Sequence, residues 1–203
     1  MARKARTEMI EETRKKLVEA ARQQFGRVGY ADTVMDELTA QAGMTRGALY
    51  HHFGDKKGLF LAVAQEIDAE MDARLADISA HAPDNWSAFK GRCRAYLEMT
   101  MVPEVQRILL RDSPSVLGAE YLQAGKLQCV ASMTRMLKTL MEEKHIAPTS
   151  PEVLAHLING GLMDAAFWIA NRPEDKQALA QALDGVELLL NGLKPLRTPT
   201  TSA

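Results

Sequence analysis

Residues 33–53 read TVMDELTAQAGMTRGALYHHF and hold the side chains best suited to chemistry at a surface. Thr45, Arg46, Tyr50, His51 and His52 offer donors, acceptors and flat rings on one short stretch. An arginine there can donate in bidentate fashion to a guanine edge, worth about 1–3 kcal/mol of base discrimination. Gly47 lets the backbone approach a partner closely. Leu49 and Phe53, at i and i+4, would hold the same helix to its own core. Two short helices around a Gly-containing turn make a helix-turn-helix, whose second helix enters the DNA major groove. Thr33 precedes the first of them. Lys56 opens the next helix, where dipole and ammonium together favour a phosphate. Phosphate contacts set register and base-edge contacts set sequence preference.

Other chemistries are poorly supplied. His51 and His52 diverge by about 100° on a helix, which is poor for ligating one ion. Cys93 and Cys129 have no Cys or His partner at metal spacing and make no disulfide framework. Ser113 and Ser115 lack a His and an acid at recognisable nucleophile spacing. No phosphate loop or dinucleotide fingerprint occurs. No catalytic residue, metal or cofactor is expected.

The elements that must position these groups read as helices throughout, with period-3.6 spacing and no strand alternation. The first helix is expected over 8–28, with Leu17, Val18, Ala21 and Phe25 as its stripe and Gly29 as its stop. Asp32 or Thr33 is expected to cap the second, and Thr45 the third. Asp55 is expected to cap a long fourth helix carrying Leu59, Val63, Ile67, Met71, Leu75 and Ile78. Later helices are expected over 86–101, 103–111, 119–145, 151–171 and 174–190, with a break at Asp112-Ser113-Pro114. Ser150 would cap the helix that starts at Pro151.

The chain has 203 residues, 46% hydrophobic and 25% charged, an ordinary globular mix. Its formal charge of -1 hides an asymmetry: residues 1–60 hold eleven Lys/Arg against eight Asp/Glu, while the rest carries an acidic excess. Such asymmetry points to a nucleic-acid or membrane contact at one end. The N-terminus lacks an apolar signal region, and no apolar run approaches the ~18 residues that span a bilayer, so a cytoplasmic protein without membrane contact is expected.

The wider pattern is more specific. Ala20-Ala21, Phe25, Gly29-Tyr30, Thr33, Ala42-Gly43, Thr45, Gly47, Leu49-Tyr50, Phe53, Lys56 and Leu59-Phe60 occur in the order and spacing of a known family. From Thr13 to Phe60 the chain resembles the tetracycline-repressor (TetR) family of bacterial one-component regulators. The helical spacing already reads as an all-α chain of about nine helices with a disordered tail (197–203); the resemblance implies an N-terminal three-helix DNA-binding domain (1–55) and a larger helical effector-binding and dimerisation domain (56–196). It implies a homodimeric, ligand-responsive, sequence-specific regulator, most simply a repressor released from a pseudo-palindromic operator. Thr33, Thr45, Arg46, Gly47, Tyr50, His51 and Lys56 match family positions that commonly touch DNA. Val34 departs from the family's common Thr or Ser, and Leu38-Thr39 from its Ile-Ala.

The remaining residues are less readable. Leu154, Leu157, Ile158, Gly161 and Ala165 on one helix, and Leu179, Leu183, Val186 and Leu190 on the last, are expected to form a two-fold, four-helix interface. Tyr96, Met99, Arg111, Met133, Met163, Asp164, Phe167 and Trp168 are candidate effector contacts, because methionine and aromatic side chains suit an adaptable cavity. They imply an apolar or amphipathic small molecule. The same methionines also read as plain core, and Arg111-Asp112 as a helix-end charge pair. A helical ligand-sequestering protein with a vestigial DNA-binding domain is the alternative, with intact Gly47, Tyr50 and Lys56 against it.

Overall fold

The computed structural model describes residues 2–195, with side chains from residue 8 onward. The expected tail, 197–203, lies outside the described residues. Among the described residues every regular element is a helix: α1 (Ala2–Asp32), α2 (Met35–Gln41), α3 (Arg46–Phe53), α4 (Lys56–His81), α5 (Asn85–Met99), α6 (Pro103–Val105), a π-helical stretch (Gln106–Asp112), α7 (Ser113–Val116), α8 (Gly118–Glu142), α9 (Pro151–Ala170) and α10 (Ala178–Asn191).

The chain divides into two compact units. The first comprises residues 1–71 and 102–122, and the second residues 72–101 and 123–203. The expected boundary at 55/56 falls inside the first unit, because the first half of α4 is buried in that unit's core. Leu59, Phe60, Val63, Ala64 and Ile67 pack there with Leu17, Val18, Ala21 and Phe25 of α1, Leu38 of α2 and Leu49 of α3. Phe25, Tyr30 and Phe60 form an aromatic knot, with Phe60 edge-on to both partners at 5.1 Å.

Residues 102–122 complete this core with Val105 and Ile108. They also tie down α1 by polar contacts. The Arg22 guanidinium donates to Glu104 (2.9 Å from Nε) and to Glu70 (2.6 Å from Nη1), and it holds the Glu70 carboxyl below the usual range. Arg107 Nη2 donates to the Val28 carbonyl at 2.8 Å, and the Tyr30 amide donates to Asp112 Oδ2 at 2.7 Å. α1 bends where these contacts converge: Gly29 has φ 84° and ψ 172°, a conformation essentially restricted to glycine.

The helix pattern departs from expectation at four places. Thr33 does not cap α2; its hydroxyl donates to the Gly29 carbonyl at 2.7 Å, and the cap position falls to Val34, which makes no side-chain bond. The break expected at Asp112-Ser113-Pro114 is absent. The buried Ser113 hydroxyl donates to the Ile108 carbonyl at 2.8 Å, which carries the π stretch into α7 without a gap. The last helix starts at Ala178 rather than Glu174, because Asp175 Oδ1 accepts the Gln177 amide at 2.9 Å and spends that segment on a turn. Finally, α9 is long and apolar enough to cross a bilayer by length and composition, at 20 residues and a mean hydropathy of 1.4. Glu152, His156 and Asp164 interrupt the run, so a search for an unbroken apolar stretch passes it over.

In the second unit, Phe89, Cys93 and Leu97 of α5, Leu137 and Leu140 of α8, and Leu162, Ala166 and Ile169 of α9 are buried. Asp84 Oδ1 caps α5 through the Ser87 amide at 2.7 Å, and Ser150 Oγ caps α9 through the Val153 amide at 3.3 Å. Lys90 of α5 meets Glu187 of α10 at 2.8 Å.

Candidate nucleic-acid interface and effector cavity

α2 and α3 are joined by a turn in which Gly43 adopts φ 65° and the Met44 amide donates to the Thr39 carbonyl at 2.9 Å. Only a glycine reverses the chain this tightly without strain. Thr45 then starts α3, its Oγ1 accepting the Ala48 amide at 3.2 Å. α3 is sharply two-sided. Leu49 is fully buried, whereas Thr45, Arg46, Gly47, Tyr50 and His51 are exposed. A Cβ added at Gly47 would meet nothing closer than Thr45 Oγ1 at 3.8 Å. The protein's own packing therefore does not require glycine there, and the free space faces outward. Arg46 Nε contacts Asp36 Oδ1 of α2 at 2.7 Å. Both side chains are exposed, so the pair contributes at most about 1 kcal/mol and opens readily for another acceptor.

Two expected DNA contacts sit elsewhere. Thr33 is 4% exposed and its hydroxyl is engaged within α1. Lys56 Nζ donates to the Ala31 carbonyl at 3.2 Å and lies 4.6 Å from the Tyr30 ring centroid, with its pKa lowered by partial burial. It closes the end of α1, where a cation complements the exposed carbonyls.

The cap at Thr45 has a measurable share in this geometry. Thr45→Ala should cost about 1 kcal/mol of stability, seen as a lower urea midpoint at constant slope. An unchanged midpoint would show that the Ala48 amide finds another partner.

The second unit contains a cavity of about 260 Å³ between α4, α5, α8 and α9. Leu75, Phe89, Tyr96, Met133, Met136 and Leu162 supply its apolar lining, and Arg92, Ser132 and Asn159 are among its polar groups. Cys93 also lines it, with burial pushing the thiol up to about 12, so it is protonated at neutral pH. A separate apolar groove runs between α9 and α10, lined by Leu154, Leu157, Ile158, Gly161, Leu162, Ala165, Ala182, Gly185, Val186, Leu189, Leu190 and Leu193.

Residues 17–63 match the family model described as bacterial regulatory proteins, tetR family, and residues 86–193 the model for the tetracyclin repressor-like, C-terminal domain. The chain belongs to the TetR family. A crystal structure of a TetR-family transcriptional regulator from Pectobacterium atrosepticum is 53% identical, with a TM-score of 0.82 over 92% of this chain and 96% of that one. The HTH-type transcriptional regulator AcrR of Shigella flexneri is 29% identical over all of both chains. The Transposon Tn10 TetC protein of Escherichia coli is 27% identical over 82% of this chain and 85% of its own length. This TetR-family chain is thus a DNA-binding transcriptional regulator, and its two-sided α3 is the helix that the motif assigns to the major groove.

The expected effector residues of this TetR-family regulator divide. Tyr96 and Met133 line the cavity. Met99 is buried outside it, and Arg111 lies on the π stretch of the first unit. Met163 does not line it, its sulfur accepting the Asn159 amide at 3.4 Å; Asp164 is exposed and Phe167 half-buried, also away from the lining. Trp168 stacks with the Arg172 guanidinium at 4.2 Å. The lining residues missed include the apolar Leu75, Phe89, Met136 and Leu162 as well as the polar Arg92, Ser132 and Asn159. Asn159 alone gave a signal, as the one amide among apolar residues on α9. Of the expected interface residues, Leu154, Leu157, Ile158, Gly161, Ala165, Val186 and Leu190 line the groove. Leu183 lines a different depression beside α5, and Leu179 is half-buried away from both.

Proposed function

We propose that the protein is a homodimeric repressor that leaves a pseudo-palindromic operator when a small molecule occupies the second-unit cavity. The observation that carries this reading is the outward face of α3, where Thr45, Arg46, Gly47, Tyr50 and His51 converge over the buried Leu49. Arg46 is the base-reading group, and Tyr50 and His51 contact base edges or adjacent phosphates. Thr33 and Lys56 support the reading head from behind by holding the end of α1. Two α3 helices in a two-fold dimer would meet successive major grooves roughly 34–36 Å apart or somewhat more. The α9/α10 groove is the dimer contact in this reading. In this reading the protein acts in the cytoplasm, as a DNA-binding regulator and not as an enzyme. Ligand release requires only that the effector bind the DNA-incompetent state more tightly.

Gel shifts on DNA upstream of the protein's own gene test the reading. Arg46→Ala and Tyr50→Ala should each weaken binding about tenfold or more, as expected for losing about 1–3 kcal/mol at a base contact. Far-UV circular dichroism should match the parent, since both side chains are exposed. Unaltered affinity in both variants would overturn the assignment of α3.

A further inference from the structure

We propose, building on the ligand-response reading, that the second-unit cavity takes an amphipathic monoanion: a carboxylate on an apolar body. Volume sets the size. About 260 Å³ holds some nine waters at roughly 30 Å³ each, or an organic ligand of about ten non-hydrogen atoms. This is slightly below the range of cavities that enclose drug-sized molecules.

Polarity sets the class. Asn159 is only 6% exposed, yet it lines the cavity. Its amide nitrogen gives one N–H to the Met163 sulfur at 3.4 Å, and no described residue accepts the other. A buried amide left half-satisfied is unfavourable unless something in the cavity completes it. Arg92 lines the same cavity from α5, half-buried. It donates one N–H to Ser79 Oγ at 3.3 Å and forms no ion pair with any described residue. A guanidinium has five donors in a planar fork that matches a carboxylate. The remaining charges do not cancel it. Arg135 adds a second cation at the rim, and Asp72, the one acidic lining residue, accepts the Gln128 amide at 3.2 Å. Two cations against one anion leave the lining short of one negative charge. A carboxylate bridging Arg92 and Asn159, with its chain among Phe89, Met133, Met136 and Leu162, supplies that charge and fills the apolar space.

Isothermal titration calorimetry of the full chain with hexanoate, octanoate and decanoate, against octanol and octylamine, tests this. At least one carboxylate should bind saturably, with octylamine about tenfold weaker or worse. Arg92→Gln should weaken carboxylate binding about tenfold while changing octanol binding by less than about threefold. Arg92→Lys should recover part of the loss. Asn159→Leu should weaken carboxylate and alcohol alike. Octylamine binding as tightly as octanoate, no saturable binding by any carboxylate, or an unaltered affinity in Arg92→Gln would overturn the proposal. If Arg92→Gln fails to fold, the ligand series on the parent and Arg92→Lys still decide the matter. Gel shifts of the parent with and without carboxylate separate the two readings. Saturable carboxylate binding with operator affinity unmoved upholds the ligand class and overturns ligand-responsive release.

Discussion

Leu157→Asp and Leu189→Asp, made singly, should each convert the protein to a monomer at concentrations where the parent is a dimer. The two side chains are 67% and 72% exposed on the α9/α10 groove, too large an apolar exposure for a surface that meets only water. In a two-fold interface each substitution appears twice. Burying an unpaired carboxylate costs several kcal/mol per site, enough to dissociate a dimer of micromolar affinity. Operator affinity should fall with it by about 10²–10⁴, because the second half-site contact is then no longer intramolecular. Sedimentation velocity reads the first effect and a gel shift the second. Persistent dimers in both variants would place the subunit contact outside this groove.

Gly29→Ala should destabilise the protein by about 3 kcal/mol through two separable causes. The backbone at φ 84° and ψ 172° costs a non-glycine residue about 1–3 kcal/mol. An added Cβ would also stand 2.1 Å from Arg107 Nη2. Arg107 must then leave the Val28 carbonyl, and a hydrogen bond from a charged group contributes about 1.5–3 kcal/mol. The guanidinium is partly exposed, so the lower figure applies. A double-mutant cycle with Arg107→Ala separates the causes. In that background Gly29→Ala should retain only the backbone cost. A loss below about 1 kcal/mol in the parent background, by thermal or urea unfolding, would show that α1 straightens without penalty.

These two sites differ in how far they can be read from the residues alone. The helix-turn-helix is legible because its determinants are local. Gly43, Thr45 and Leu49 act within a few residues of where they stand, and periodicity shows which side of α3 turns inward. The α9/α10 groove is legible for a related reason, since Leu154, Leu157, Ile158 and Gly161 recur at helical spacing. The α1 anchor is not legible. Arg107 and Asp112 act across about eighty positions on Val28 and Tyr30, and a π stretch leaves no distinct hydrophobic period. The second-unit cavity is the hardest case. Core and cavity lining carry the same apolar side chains, so Met99 and Met133 read alike although only Met133 faces the space. What separates them is the polar minority, Arg92 and Asn159, whose placement depends on packing between helices. Thr33 and Lys56 carry contacts that their positions alone do not reveal: each donates to a nearby carbonyl at the end of α1.

The anchoring of α1 has a consequence for interchangeability. Glu104, Arg107 and Asp112 lie inside the stretch that matches the C-terminal domain model, yet all three bond to α1. The DNA-reading module is therefore discontinuous in the gene. A chimera spliced once, within α4, would set a foreign 102–122 segment against the native Arg22, Gly29 and Tyr30, in place of the Glu104, Arg107 and Asp112 that bond there. A graft that keeps those bonds exchanges two stretches together, because the first unit is built from residues up to 71 and from 102–122.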